Sequence, residues 1–268
     1  MTAATTTPTP GAADATGSIG PLPGFGGLVR KEFTEWRRGR RTWMVLLVTA
    51  AFMILAALNS WLQANVRPAD PSQGVQDPIV DPTMNLVGVV SSQIFAVAAI
   101  FAVMSLIVAE RESGTLAWTA SKPVSRSAIW LAKFAVSAVV LWVAAGLIPL
   151  AATVALVLAL YGPLPLLPIV TMAIGMGLAI TLYVAVALAT STVITSQAAV
   201  AAIAIGVMFL PQMLGLLVPP QFVPSSILQW AILAGVGEPA GFATPIVWAV
   251  SIGALIAFSL RRMERLEL

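Results

Sequence analysis

Cysteine and histidine are both missing from this chain, and charge is scarce: 9% of its 268 residues are Asp, Glu, Lys or Arg. Without cysteine neither a disulfide framework nor a thiolate metal site can form. Without histidine the chain lacks the commonest general base, the usual zinc ligand and the side chain that titrates near neutrality. Intramembrane zinc proteases and Ser-His proteases are excluded on that ground. A G-x-x-x-x-G-K-[ST] phosphate loop is also absent; the nearest cluster, Gly24, Gly26 and Gly27, has neither the spacing nor the lysine. What the chain has instead is apolar surface. Hydrophobic residues make up 59% of it, against about 45–50% in an ordinary soluble domain. That excess cannot all be hidden inside one water-facing globule, so the composition points to a membrane protein.

Charge and breaker residues divide the chain. Residues 1–27 are rich in Thr, Ala, Pro and Gly, with Asp14 the only charge, and read as a disordered cytoplasmic tail. From 28 to 41 Val29, Phe33 and Trp36 recur at helical spacing among Arg30, Lys31, Arg37, Arg38, Arg40 and Arg41. A short helix with one apolar stripe and a basic remainder suits a membrane surface, and the same cations also serve as a topology signal. Beyond it the apolar runs predict six transmembrane helices at about 43–62, 86–109, 134–160, 168–190, 198–218 and 243–260. No charged residue occurs between Phe134 and Gly237. That stretch is divided by Tyr161, Gly162, Pro163 and Pro165, by the small polar run 190–197, and by Pro219, Pro220 and Pro224. Residues 225–238 look too short to cross and read as re-entrant or interfacial. The expected fold is therefore all-α, with a transmembrane domain over 28–268.

The cations set the orientation. With six spans and the N-terminus inside, the cytoplasmic segments hold every Lys and Arg of the fourteen except Arg67, as the positive-inside rule requires. The outer loops hold Asp70, Asp77, Asp81 and Glu238. Both termini then face the cytoplasm of a cell that carries this chain in its plasma (inner) membrane. Cations spread over membrane flanks form no nucleic-acid groove, so no nucleic-acid partner is expected.

The connection between the second and third spans is the informative segment. It runs Glu110-Arg111-Glu112-Ser113-Gly114-Thr115-Leu116, continues through Trp118, Ser121, Lys122, Pro123, Ser125 and Arg126, and ends at Lys133. It resembles the permease subunits of type-2 ABC transporters: an acidic cluster ends the second span, Gly-Thr-Leu follows, then a Pro-x-Ser-Arg stretch, then a lysine opening the third span. The basic helix at 28–41 resembles that family's N-terminal elbow helix, with Phe33, Trp36, Arg37 and Arg38 at the membrane surface. The resemblance implies a short cytoplasmic coupling helix in 110–133 and an exporter working as a dimer of permeases. It also implies a separate ATPase subunit that docks on this loop. ATP and Mg²⁺ then belong to that partner; this chain is not itself an enzyme and holds no cofactor or metal. Coupling is carried on this reading by Glu110, Glu112, Gly114, Thr115, Leu116, Trp118, Lys122 and Arg126, although Glu110 and Glu112 equally suit simple helix-end charges beside a bilayer.

Polar residues within the spans are few. Asn85, Ser92, Gln93 and Gln212 are the candidates for lining a transport route, but Asn and Gln in hydrocarbon commonly link helices instead. The predicted spans contain no Asp, Glu, Lys or Arg, which disfavours an ion-coupled carrier. A self-contained secondary transporter or channel using carbonyls and hydroxyls stays open, as does a non-transporting membrane scaffold or sensor. Nothing in the sequence selects a substrate.

Overall fold

A computed structural model describes residues 24–66, 82–121, 124–214, 217 and 219–265. All regular structure among the described residues is helical. Lys122, most of the predicted tail and the loop with Arg67, Asp70, Asp77 and Asp81 lie outside them.

The chain enters through α1 (Phe25–Arg38), which begins inside the stretch predicted as tail. Gly39 is extended, at φ −72° and ψ 134°, and its N–H closes the helix onto the Glu35 carbonyl at 2.9 Å. A Cβ built on Gly39 would lie 2.9 Å from that same carbonyl oxygen, so the break before α2 (Arg40–Val66) depends on the missing side chain. Thr42 Oγ1 donates back to the Trp36 carbonyl across the break.

The second predicted span is not one uniform helix. α3 (Pro82–Ser91) and α4 (Ile94–Val103) are separated by Gln93, a non-glycine residue in the left-handed region at φ 53°, and α5 (Val108–Glu112) completes the run. Gly114, at φ 72°, turns the chain into α6 (Thr115–Ala120). α7 (Arg126–Leu141) continues through one π-helical segment, Trp142–Leu147, into α8 (Ile148–Tyr161). Pro149 lacks an N–H and its ring crowds the carbonyl four residues back; the wider π turn just before it relieves that conflict without ending the helix. Gly162, at φ 98°, then breaks the run ahead of α9 (Leu166–Ser191).

α10 (Gln197–Met213), α11 (Ser226–Gly235) and α12 (Ala243–Glu264) complete the fold. Among the described residues five helical runs are long and apolar enough to cross a membrane: Arg40–Gln63, Pro82–Glu112, Arg126–Tyr161, Leu166–Ser191 and Ala243–Glu264. The predicted fifth span falls short. α10 has 17 residues, about 25 Å at 1.5 Å per residue, against roughly 30 Å of hydrocarbon. Five candidate spans thus stand where six were predicted.

α9 is the central helix and packs against α4, α7, α10, α11 and α12. Close approach there rests on small residues. A Cβ on Gly175 would fall 2.5 Å from the Ala231 Cβ of α11, and one on Gly177 would fall 2.7 Å from Trp142 Nε1. Trp142 in turn donates to the Ala173 carbonyl at 3.0 Å. Where lipid tails are as apolar as the side chains, such van der Waals fit is the main force holding helices together. Replacing Gly175 by Ala therefore wedges α11 from α9. The expected cost is about 1–3 kcal/mol, read as a lower thermal unfolding midpoint in detergent, with Gly206→Ala, which meets only one side-chain atom at 3.6 Å, as the near-neutral control.

Candidate functional site: a buried charge cluster at one end of the bundle

Lys133 lies about two turns into α7 at 3.6 residues per turn, and its side chain is only 2% exposed. The sequence reading set it at the edge of a polar loop; the structure instead buries it between helices. Its Nζ donates to Glu32 Oε1 of α1 at 2.9 Å and to Glu110 Oε1 of α5 at 2.8 Å. Glu32 is itself 4% exposed on its side chain and Glu110 21%. One ammonium therefore joins three helices. An isolated charge this far from water would be prohibitively costly, and the paired arrangement is what makes the burial tolerable.

Other contacts gather at the same end. Lys31 reaches Glu35 at 3.3 Å and Glu32 at 3.7 Å. Burial pulls the Lys31 ammonium down, but Glu32, Glu35 and Glu110 together outweigh it and hold its pKa above the ordinary lysine value. Arg111 Nη1 donates to the Ser191 carbonyl at 3.4 Å, Ser127 Oγ to Glu264 Oε1 at 3.0 Å, and Arg41 Nη1 to the Ala102 carbonyl at 3.1 Å. The chain's α1, the α5–α7 connection, the end of α9 and the end of α12 consequently share one end of the bundle.

α1 corrects the predicted apolar stripe. The face packed against α7 is Leu28, Glu32 and Trp36, a four-residue repeat. Trp36, assigned from sequence to the membrane surface, is 5% exposed and lies inside the protein. Phe33 is 49% exposed and sits beside the exposed Arg37, with Arg38 also on the outside. Sequence periodicity missed Glu32 as a packing residue because a carboxylate does not register as core; only its partner on a distant helix makes it one.

In the 110–126 segment the predicted coupling residues separate into two groups. Glu110 is committed to Lys133, and Leu116 is 1% exposed, buried by its own chain rather than presented outward. Glu112, Gly114 and Thr115 are exposed and Arg126 is half-buried. Trp118, at 65% exposure, is the large apolar side chain α6 displays. Thr115 Oγ1 lies 2.9 Å from Ser113 Oγ and Thr119 Oγ1 donates to the Thr115 carbonyl, which ties the short helix to its own turn.

The four route candidates are not brought together. Asn85 Nδ2 donates to Tyr161 Oη at 2.9 Å and to the Ala57 carbonyl at 3.3 Å, linking α3, α8 and α2. Gln93 Oε1 accepts from Tyr183 Oη at 3.5 Å. Ser92 donates to its own turn, and Gln212 to the Met208 carbonyl of its own helix. Asn85 and Gln93 thus have helix-linking partners.

These features define a class: a helical, multi-pass membrane protein with long apolar helices and, among the described residues, most of its ionic groups gathered at one end. The chain belongs to the ABC-2 family of transporter proteins, whose family model, described as ABC-2 family transporter protein, matches residues 27–228. The matched region includes the Lys133 cluster, α6 and α9. Membership makes it a permease of an ABC transporter, a membrane transport component and not a catalyst, in a family that in general works with an ABC ATPase. No curated protein matches the chain.

Lys133→Met removes the buried cation between Glu32 and Glu110 and leaves only the half-exposed Lys31, 3.7 Å from Glu32, beside them. Breaking a buried pair in this way costs about 3–5 kcal/mol. The triple variant Lys133→Met, Glu32→Gln, Glu110→Gln removes the stranded charges and regains much of that loss. Thermal unfolding of the two purified proteins checks the order.

Proposed function

We propose that this chain is the membrane-spanning subunit of an ATP-driven exporter, paired with a second permease and coupled through 110–133 to a separate ATPase in the cytoplasm. The carrying observation is the junction of α6 with the Lys133 cluster. α6 displays Trp118 at 65% exposure and joins α5 through Gly114. α5, α7 and α1 are held together four residues before Gly114 by Glu110, Lys133 and Glu32. A push on α6 therefore has a stiff path into two long helices at once, as a permease driven from outside needs. On this reading α6 is the coupling helix and α1 the elbow helix. α10 and α11 together supply the sixth crossing, with α11 as a re-entrant helix against α9. Export is the direction implied by resemblance to type-2 permeases.

Docking by Trp118 has a measurable size. Truncating an interface anchor costs about 2 kcal/mol or more, roughly a thirtyfold loss of affinity. Trp118→Ala, alone or with Glu112→Lys, is expected to lose co-purification with the cognate ATPase and substrate-stimulated ATP hydrolysis while the permease stays folded. Full coupling in both variants would remove α6 from the docking surface.

Because the natural chain has no cysteine, single introduced thiols report sidedness without background. Ser121→Cys is expected to resist a membrane-impermeant maleimide in intact cells and to react after permeabilisation. Ready labelling in intact cells would put the loop outside and end the proposal.

A further inference from the structure

Beside the Lys133 cluster lies a cavity of about 400 Å³ whose wall includes Glu35, Trp36, Arg40, Arg41, Thr42 and Glu110. Arg41 also belongs to a second, apolar groove of about 360 Å³ between α2 and α4, lined by Met44, Val48, Phe52, Val97 and Phe101 among others. Arg41 lines both. Met44, Val48 and Phe52 recur every four residues along one face of α2, and each is about half exposed or more. From Arg41 to Phe52 the groove follows α2 for roughly 16 Å at 1.5 Å per residue, which is about the depth of one leaflet.

The charges around the cavity are unevenly satisfied. Glu32 and Glu110 are both engaged by Lys133, within 3 Å. Arg40 is exposed and makes no ion pair among the described residues, and Arg41 spends one donor on the Ala102 carbonyl. A guanidinium has five N–H donors in a fork that fits phosphate oxygens. Trp36 adds a buried indole N–H with no acceptor among the described residues. Glu35 is the other side of the balance: among the described residues its only ion pair is the exposed one with Lys31 at 3.3 Å, a kind of contact that exchanges readily.

We propose that the cavity and groove form a single binding site for an aminophospholipid of the adjoining leaflet. Its phosphate lies against Arg40 and Arg41, its ammonium against Glu35, and one acyl chain runs along Met44, Val48 and Phe52. A headgroup carrying both charges matches this wall. A purely anionic headgroup meets Glu35, and a quaternary ammonium offers Glu35 no N–H donor. The site places a lipid at the α1–α2 break and next to the cluster that joins α1 to α5 and α7. It does not depend on the ATPase reading.

The test uses the full chain, purified and exposed to mixed micelles holding equal amounts of dioleoyl phosphatidylethanolamine, phosphatidylglycerol and phosphatidylcholine, with bound lipid counted by native mass spectrometry. One phosphatidylethanolamine per chain is expected to be retained in preference to the others. Arg40→Gln with Arg41→Gln lowers that retention by on the order of tenfold. Glu35→Gln abolishes the preference over phosphatidylglycerol, and Val48→Trp, which fills the groove and leaves the charges alone, lowers retention of all three lipids. Equal retention of the three headgroups by the natural chain, or undiminished retention in the double arginine variant, overturns the proposal. So does glycerophosphoethanolamine competing as well as the intact lipid, which would make this a site for free phosphate compounds. Disulfide linkage of two chains through Val48→Cys would seat a second copy in the groove and overturn it as well.

Discussion

A single ammonium, that of Lys133, holds the charged end of this protein together. Three helices from distant parts of the chain meet on it, and each brings a group that would be intolerable alone. Glu32 turns an otherwise apolar face of α1 onto α7, Glu110 ends the second hydrophobic run, and Lys133 lies within the third. In a bundle whose other contacts are mostly between apolar surfaces of similar character, such a cluster has a property dispersion lacks: it is specific. An apolar helix slid by one turn finds much the same neighbours, whereas a displaced Glu32 loses its buried partner Lys133. Buried ionic groups of this sort contribute less to net stability than to choosing one arrangement.

The remainder of the bundle obeys the bilayer's demand that backbone polar groups be satisfied within the protein. Interruptions occur only where something repairs them. At Gln93 the left-handed residue still accepts from the amides of Ala96 and Val97, so α4 restarts at once. Before Pro149 the helix widens into a π turn rather than breaking. Ser125 and Ser196 accept from Ala128 and Ala199 to cap α7 and α10. Close packing of α9 on its neighbours then depends on Gly175 and Gly177, where any side chain meets Ala231 or Trp142.

Much of this was legible beforehand. The break at Tyr161 and Gly162, the turn after Ser191, the short helix at 226–235 and the glycine that ends the second run at Gly114 all announce themselves through composition and local stereochemistry. Three readings needed the tertiary structure beside them, for identifiable reasons. The stripe Val29, Phe33 and Trp36 obeys the helical period, but a period identifies faces without saying what covers them. Leu116 and Trp118 look alike as apolar residues on a short helix; one is buried by its own chain and the other exposed. In the fifth run the regular helix among the described residues is α10, which ends at Met213.

The amino-acid sequence alone determined that this chain is a bundle of apolar helices long enough to cross a membrane, with every Lys and Arg outside the predicted spans, since hydrophobic run length and charge placement are local properties that a bilayer reads directly. Only tertiary structure decided that Glu32, Glu110 and Lys133 are partners, that Trp36 faces inward, and that Arg41 lines both a polar cavity and an apolar groove. Those outcomes depend on which helix lies beside which. Ion pairing and packing act between residues some twenty to a hundred positions apart, and no local pattern records them.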